Sequence, residues 1–297
     1  MDMADETALG GAETGSESDW DAELESAAEV QAGIRTDIPH SARMYDYYLG
    51  GRTNYRPDRE AADEVATVFP SVFHTALENR DFMHRATRVL ARNHGIRQWL
   101  DIGTGIPTSP NLHEVAQSVA ADARVVYVDY DPIVLNYARA LLRSTPTGRT
   151  AYVQADATDP GSILANQTLA DTLDLSRPVA LSLNALLHFI PDDRDPYGIV
   201  DRLMSALPSG SALAISHCTP DFDPESWAEV VGVYRKSGTP AQVRTRAEVE
   251  RFFEGYELIE PGIEVGHRWH PEETTRAELP RVSDADVSLW VGVAIKP

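Results

Sequence analysis

The strongest constraint on the fold lies between residues 98 and 217, where five short β-rich runs alternate with stretches of helical period. The runs are Gln98 to Ile102, Arg124 to Asp129, Thr150 to Gln154, Val179 to Asn184 and Leu213 to His217, and each ends at a polar or glycine-rich turn. Strands that alternate with amphipathic helices build βαβ units and therefore a parallel sheet. Leu112, Val115, Ala116 and Val119 form one helical stripe between them. Asp131-Pro132 and Asp195-Pro196 each place a helix cap and a first-turn proline ahead of further stripes, Leu135, Ala138 and Leu142 in one case and Ile199, Leu203 and Leu207 in the other.

Beyond the fifth run, Trp227, Val230, Val231 and Tyr234 mark another helix, and Thr245 with Glu248 three residues on reads as a capping box whose helix Gly255 closes. Two last strands, about Tyr256 to Glu260 and Val287 to Ile295, are placed to pair as an antiparallel edge. The expected fold is α/β: a doubly wound, mostly parallel, seven-stranded Rossmann-like sheet with that antiparallel edge, over residues 96–297. Residues 34–95 form an N-terminal helical cover. Pro57 opens a helix carrying Ala61, Val65, Val68 and Phe69 until Pro70 stops it, and a second runs from about Glu78 to His94, with Gly95 as its cap. Ahead of them stands a dense group of aromatics and glycines, Tyr45, Tyr47, Tyr48, Gly50, Gly51 and Tyr55. Two readings of it stay open: a lid over a ligand, or tyrosines that only pack the helices.

Residues 1–33 are rich in Gly, Ala, Ser, Asp and Glu with Trp20 as the only aromatic, which predicts a disordered acidic tail, with a short helix around Trp20 to Val30 as an option. The whole chain, 297 residues with 42% hydrophobic, is long enough to bury a substantial core. Its net charge of −20 repels nucleic-acid phosphates and anionic headgroups, so nucleic acid and membrane are not expected partners. Cys218 is the only cysteine, which rules out an internal disulfide and a cysteine-based zinc cluster, and no metal is expected. No run of apolar residues is long enough to span a bilayer, and the N-terminus is acidic where a signal peptide is basic and then apolar. The expected location is the reducing cytoplasm.

In a doubly wound sheet, ligands bind at the carboxyl ends of the strands near the point where strand order reverses. Asp101, Gly103 and Gly105 lie at the end of the first strand, Asp129 ends the second, Asp156 follows the third and Asn184 ends the fourth. Glycines there let the backbone turn and approach a ligand. A Gly-x-Gly turn alone is weak, because many are structural. The acids sharpen it. A dinucleotide sets its pyrophosphate over this turn, where a carboxylate such as Asp101 repels it, and the third glycine of the dinucleotide fingerprint is missing, with Pro107 and Thr108 in its place. S-adenosylmethionine carries no phosphate, and its ammonium and sulfonium are cationic. Asp129 is then placed for both ribose hydroxyls and Asp156 for the adenine amino group. The expected cofactor-binding set also takes in the flanking Thr104, Tyr130 and Ala157, and Tyr48 from the lid segment. Asp131 reads as a helix cap. Asn184 and His188 are the candidate catalytic residues, His188 as a general base near the acceptor or else as a structural histidine.

Several chemistries fall away. Asn184-Ala185-Leu186-Leu187 lacks the two prolines and aromatic of DNA amino-methyltransferases, and Cys218 follows His217 rather than the proline of cytosine C5 enzymes. There is no phosphate loop ending in Gly-Lys-Ser or Gly-Lys-Thr, no Gly-x-Ser-x-Gly elbow and no His-Glu-x-x-His helix.

From Ile38 to Pro297 the sequence resembles the actinobacterial S-adenosylmethionine-dependent methyltransferase family, once catalogued as a domain of unknown function. The resemblance is carried by Ser41-Ala42-Arg43-Met44-Tyr45-Asp46-Tyr47-Tyr48-Leu49-Gly50-Gly51 and by Gln98-Trp99-Leu100-Asp101-Ile102-Gly103-Thr104-Gly105-Ile106-Pro107-Thr108. Val128-Asp129-Tyr130-Asp131-Pro132-Ile133-Val134-Leu135 and Leu187-His188-Phe189-Ile190-Pro191-Asp192-Asp193 complete it. It implies a class I methyltransferase sheet whose N-terminal helices cover the cofactor, and it supplies no substrate. Trp269-His270-Pro271 stands where the family has Trp-Arg-Pro, which puts any role of that arginine in question. The function expected is methyl transfer to an unidentified acceptor, a small molecule or a protein, with the small molecule favoured. A nicotinamide-dependent oxidoreductase and a non-catalytic S-adenosylmethionine-binding regulator are the rival readings.

Overall fold

The computed structural model describes residues 35–134, 137, 143–276 and 281–297. The acidic tail, the optional helix around Trp20, and Leu135, Ala138 and Leu142 lie outside the described residues. Three helices come first: α1 (Ser41–Tyr48), α2 (Arg56–Val68) and α3 (Val72–Asn93). The sheet strands and their connections follow as β1 (Gln98–Ile102), α4 (Leu112–Val119), β2 (Arg124–Asp129), β3 (Arg149–Gln154), α5 (Pro160–Leu164), α6 (Gln167–Thr172), β4 (Ala180–Asn184), α7 (Pro196–Ser205) and β5 (Ala212–Cys218). The chain finishes with α8 (Pro224–Lys236), α9 (Arg246–Glu250), β6 (Glu257–Leu258), β7 (Glu264–Val265), α10 (Asp284–Val287) and β8 (Leu289–Ile295).

The strand order is β3-β2-β1-β4-β5-β8-β6, with β7 also pairing to β8. β1 to β5 run parallel, and β8 lies antiparallel to β5, β6 and β7. Every residue of β1 and of β5 is buried, as expected for strands with helices on both faces. The order reverses between β1 and β4, where Asp101 sits in register with Ser182. The caps read from the sequence hold: Asp195 accepts from Gly198 N–H at 3.1 Å, and Thr245 and Glu248 form their box.

Two expectations need correction. The sheet has eight strands rather than seven, because the strand expected at Tyr256 to Glu260 is only two residues long and a second short strand follows it. Pro261 has no N–H to continue the ladder, and Gly262, at φ +85°, turns the chain so that its N–H donates to Ile259 O. The helix expected from Glu78 begins at Val72, since the chain re-enters helix directly after Pro70 and Ser71 O accepts Thr75 N–H at 3.0 Å. That added turn buries Val72, Thr75 and Ala76.

Helix α3 ties the N-terminal cover to the segment between β7 and α10. Arg85, 1% exposed, donates to Trp269 O at 2.7 Å and to Gly266 O at 2.5 Å, and Arg88 donates to Glu273 O. Phe82 meets the Trp269 ring edge-on at 5.3 Å. His270 packs on Trp269 and is fixed between Glu272 and Glu260 O on the outside of this contact.

Candidate active site

The carboxyl ends of β1, β2, β4 and β5 open into a cavity of about 170 Å³ roofed by α1, α3 and α8. Asp101, Gly103, Thr104, Gly105, Asp129, Tyr130, Ala157, Asn184, His188 and Tyr48 all line it. The sequence-derived site residues are therefore gathered in one place, with one exception. Asp156 is exposed and is not among the lining residues; its Oδ1 accepts from both the N–H and the hydroxyl of Thr158 at 2.8 Å, closing its own turn. Its neighbours Ala155 and Ala157 reach the cavity.

The local geometry follows from the glycines. Gly103 (φ +75°) and Gly105 (φ +65°) hold backbone conformations that a side chain disfavours, and a Cβ on Gly103 would lie 2.6 Å from Leu186. Gly103 N–H donates to Val128 O, which pins the turn to β2, and Gly105 N–H donates to Asp129 Oδ2 at 2.8 Å. Asp129 Oδ1 accepts Asp131 N–H at 3.0 Å, so the carboxylate plane is fixed from both sides. Asp131 in turn accepts Ile133 N–H at 2.9 Å, the capping role read from the sequence. Thr104 donates to the Asp101 backbone at 3.0 Å and lies 3.3 Å from its carboxylate.

Two acids buried at one cavity are electrostatically costly. Burial raises Asp101 to about 6, only partly offset by hydrogen bonds from Ser182 and Thr104, and burial likewise raises Asp129 to about 6 against the backbone donors of Asp131 and Gly105. Such a pair fits a cationic ligand with hydroxyl donors, which restores the charged form. It does not fit a pyrophosphate. The donor set thus suits S-adenosylmethionine: buried carboxylates for positive charge and vicinal hydroxyls, and glycine backbone where a Cβ would intrude.

Toward β4 and β5 the character changes. Asn184 donates from Nδ2 to Ser182 at 2.7 Å, while its buried Oδ1 has no partner among the described residues. His188 accepts Cys218 N–H at Nδ1 (3.5 Å), and its Nε2 lies 4.0 Å from Cys218 Sγ. Burial and the nearby Arg244 push His188 down to about 3, so its imidazole is neutral. Burial pushes the Cys218 thiol up to about 12.

Of the lid tyrosines, Tyr45 and Tyr48 line the cavity, and both also pack, Tyr45 donating to Ala76 O and accepting from Asn79 at 2.7 Å. Asp46 closes the Gly50-Gly51 turn by accepting from Thr53 N–H and Asn54 Nδ2, both at 2.8 Å.

Sequence reasoning missed three functional positions. His40 caps α1, reaches Tyr130 Oη at 2.5 Å and lies 3.3 Å from Asp131, fastening the cover to the end of β2. Arg80 lines the cavity while donating to Thr108 O and Pro110 O, bracing the loop after Gly105. Arg244 is fully buried and donates to Leu187 O, Ile190 O, Asp192 and His217 Nε2, fixing the backbone on both sides of His188. None of the three left a distinct sequence signal, since Arg80 is one of four arginines in α3. Replacing Arg244 with Leu leaves Ile190 O and His217 Nε2 without that donor in the core, and at about 1–3 kcal/mol for each unsatisfied group the variant is expected to lose a large part of its unfolding free energy in urea. A change of less than about 1 kcal/mol would show that solvent fills the gap.

Among the described residues no cluster of His, Cys, Asp and Glu is arranged to hold a metal, and no helix is long and apolar enough to cross a membrane.

Solved structures resemble this one over nearly their whole length. A DUF574 family protein from Streptomyces avermitilis shares 52% identity, with 88% of this chain and 99% of that one covered and a TM-score of 0.85. A protein from Thermobifida fusca assigned to the methyltransferases shares 37% identity over 89% of this chain and 97% of that one, with a TM-score of 0.81. No curated protein matches the chain. The S-adenosyl methyltransferase family model matches residues 27–297, so the chain belongs to that family and is an S-adenosylmethionine-dependent methyltransferase.

Proposed function

We propose that the enzyme methylates a small-molecule acceptor bound over β4 and β5, with the cofactor held over β1 and β2. The observation that carries this reading is that one cavity joins the two halves across the point where strand order reverses. When bound, S-adenosylmethionine supplies a methyl group on a cationic sulfur, which needs alignment more than activation.

The chain's own residues then divide as follows. Asp129, fixed by Gly105 and Asp131, accepts the ribose hydroxyls, and Asp101 offsets the positive methionyl end. Gly103, Thr104 and Gly105 give the backbone close approach. Tyr130 and Ala157 border the adenosine, and Tyr48 closes the cavity from above. Asp156, turned into its own loop, contributes by shaping the turn that presents Ala157. Asn184, on the cavity wall at the end of β4, borders the acceptor. His188 is a neutral wall of the acceptor half, since no carboxylate is among its hydrogen-bond partners and both ring nitrogens face Cys218.

Thermal unfolding tests the cofactor class. S-adenosylhomocysteine at about a hundred times its Kd adds roughly 2.7 kcal/mol and raises Tm by several degrees. NADH, whose pyrophosphate would meet Asp101, leaves Tm unchanged. Stabilisation by NADH alone would overturn the proposal.

A further inference from the structure

The acceptor half has a composition of its own. β5 lies two strand spacings from β1, roughly 10 Å away, and over it stand Tyr48, Val72, Phe189, Trp227, Val231 and Tyr234. Trp227 is held against Phe69 with ring centroids 5.1 Å apart, and Tyr234 meets Phe189 edge-on at 5.3 Å. These flat, braced surfaces come from α1, α3, α8 and the loop after β4, and they favour a flat partner.

Charge narrows the class further. Among the described residues, the basic side chains lining the cavity are Arg80, His40 and His188, and burial beside Arg244 keeps His188 neutral. Arg80 is occupied by two carbonyls, and His40 sits between Tyr130 and Asp131 with burial lowering its proton affinity. Nothing there pairs with an anionic acceptor, and the carboxylates of the cavity, Asp101 and Asp129, lie at the other half. Two polar features remain. Asn184 is among the lining residues, its Oδ1 sealed from solvent and unpartnered among the described residues, and the Tyr48 and Tyr234 hydroxyls stand 3.4 Å apart, where either can be the donor.

Resting on the methyltransferase reading above, we propose that this chamber selects a neutral, flat, largely apolar aromatic acceptor. Its nucleophilic N–H or O–H is presented to Asn184, and a second polar substituent meets the Tyr48–Tyr234 pair. Val231, half-buried on the chamber wall, and Tyr234 are specificity-determining residues.

Calorimetric titration of the chain saturated with S-adenosylhomocysteine tests this with 2-naphthylamine, 6-amino-2-naphthol and 2-naphthoate as probes. The amine binds, and the carboxylate binds at least about tenfold more weakly, because its charge is buried without a partner. Val231→Glu weakens 2-naphthylamine by about tenfold or more while S-adenosylhomocysteine affinity stays within about twofold. Tyr234→Phe keeps the ring and the fold, and removes the advantage of 6-amino-2-naphthol over 2-naphthylamine. Naphthoate binding as tightly as the amine, no amine binding by a chain that still binds S-adenosylhomocysteine, or an unchanged probe preference in Tyr234→Phe each overturns the proposal. Failure to bind S-adenosylhomocysteine at all overturns instead the reading on which it rests.

Discussion

An Asp129→Ala chain stays folded but binds S-adenosylhomocysteine at least about a hundredfold more weakly by calorimetry. The size follows from what the carboxylate does. It is 8% exposed, its two oxygens are held by Gly105 and Asp131 N–H groups, and its remaining lone pairs face the cavity. A hydrogen bond to a charged group contributes about 1.5–3 kcal/mol, so losing two ribose contacts amounts to two orders of magnitude or more. Gly105 also loses the anchor that shapes its turn. Asp129→Asn, which keeps one acceptor oxygen, should fall between the two. Wild-type affinity in the alanine variant would remove Asp129 from the cofactor site.

Asp101→Asn is expected to move stability and binding in opposite directions. Burial raises the carboxyl from 3.8 to about 6, and at about 1.4 kcal/mol per pH unit the charged form costs the cofactor-free fold about 3 kcal/mol at pH 7. Asparagine has nearly the same shape and no charge. Tm of the free protein should therefore rise by several degrees, while cofactor affinity falls by about tenfold or more as the cationic methionyl end loses its counter-charge. The sign with pH is fixed. Because the folded value is raised, the wild-type penalty is full above about 6 and fades as pH drops toward 3.8, so the stability gap between variant and wild type closes in acid. Cofactor affinity of the wild type runs the same way for a different reason: it is highest above about 6 and falls in acid as Asp101 and Asp129 take up protons. A variant that is less stable at pH 7, or a pH-independent affinity, would contradict this account.

The strands and the cofactor half were legible in the sequence because each depends on local signals. The parallel strands are short apolar runs bounded by turns, and Asp101, Gly103, Gly105 and Asp129 fall at strand ends, where topology alone brings them together. The half over β4 and β5 was legible only in part: Tyr48, Asn184 and His188 stand out as candidates, but Trp227, Val231 and Tyr234 lie at helical spacing among other apolar residues and read as ordinary core until α1 and α8 are seen to face each other across a cavity. Arg244 sits in a loop with no periodicity, and only its burial gives it meaning. Asp156 shows the opposite limit, since the same residue types make a ligand contact and a self-closing turn, and its side chain took the turn. Membership of the methyltransferase family was legible from the long motif strings, which reach the proposed acceptor chamber only at Tyr48, His188 and Phe189 and leave out the wall that α8 supplies.

The arginine contacts of α3 bear on how the molecule is made. Arg85 reaches across 184 positions of sequence to Trp269, and the same helix supplies Val72, Asn79 and Arg80 to the cavity. At about 5–20 residues per second, a ribosome delivers Trp269 roughly ten to forty seconds after Arg85. During that interval α3 has neither its carbonyl partners nor the antiparallel β8 beneath it. The part of the cavity roof that α3 supplies therefore gains these anchors only after residue 269 has been made.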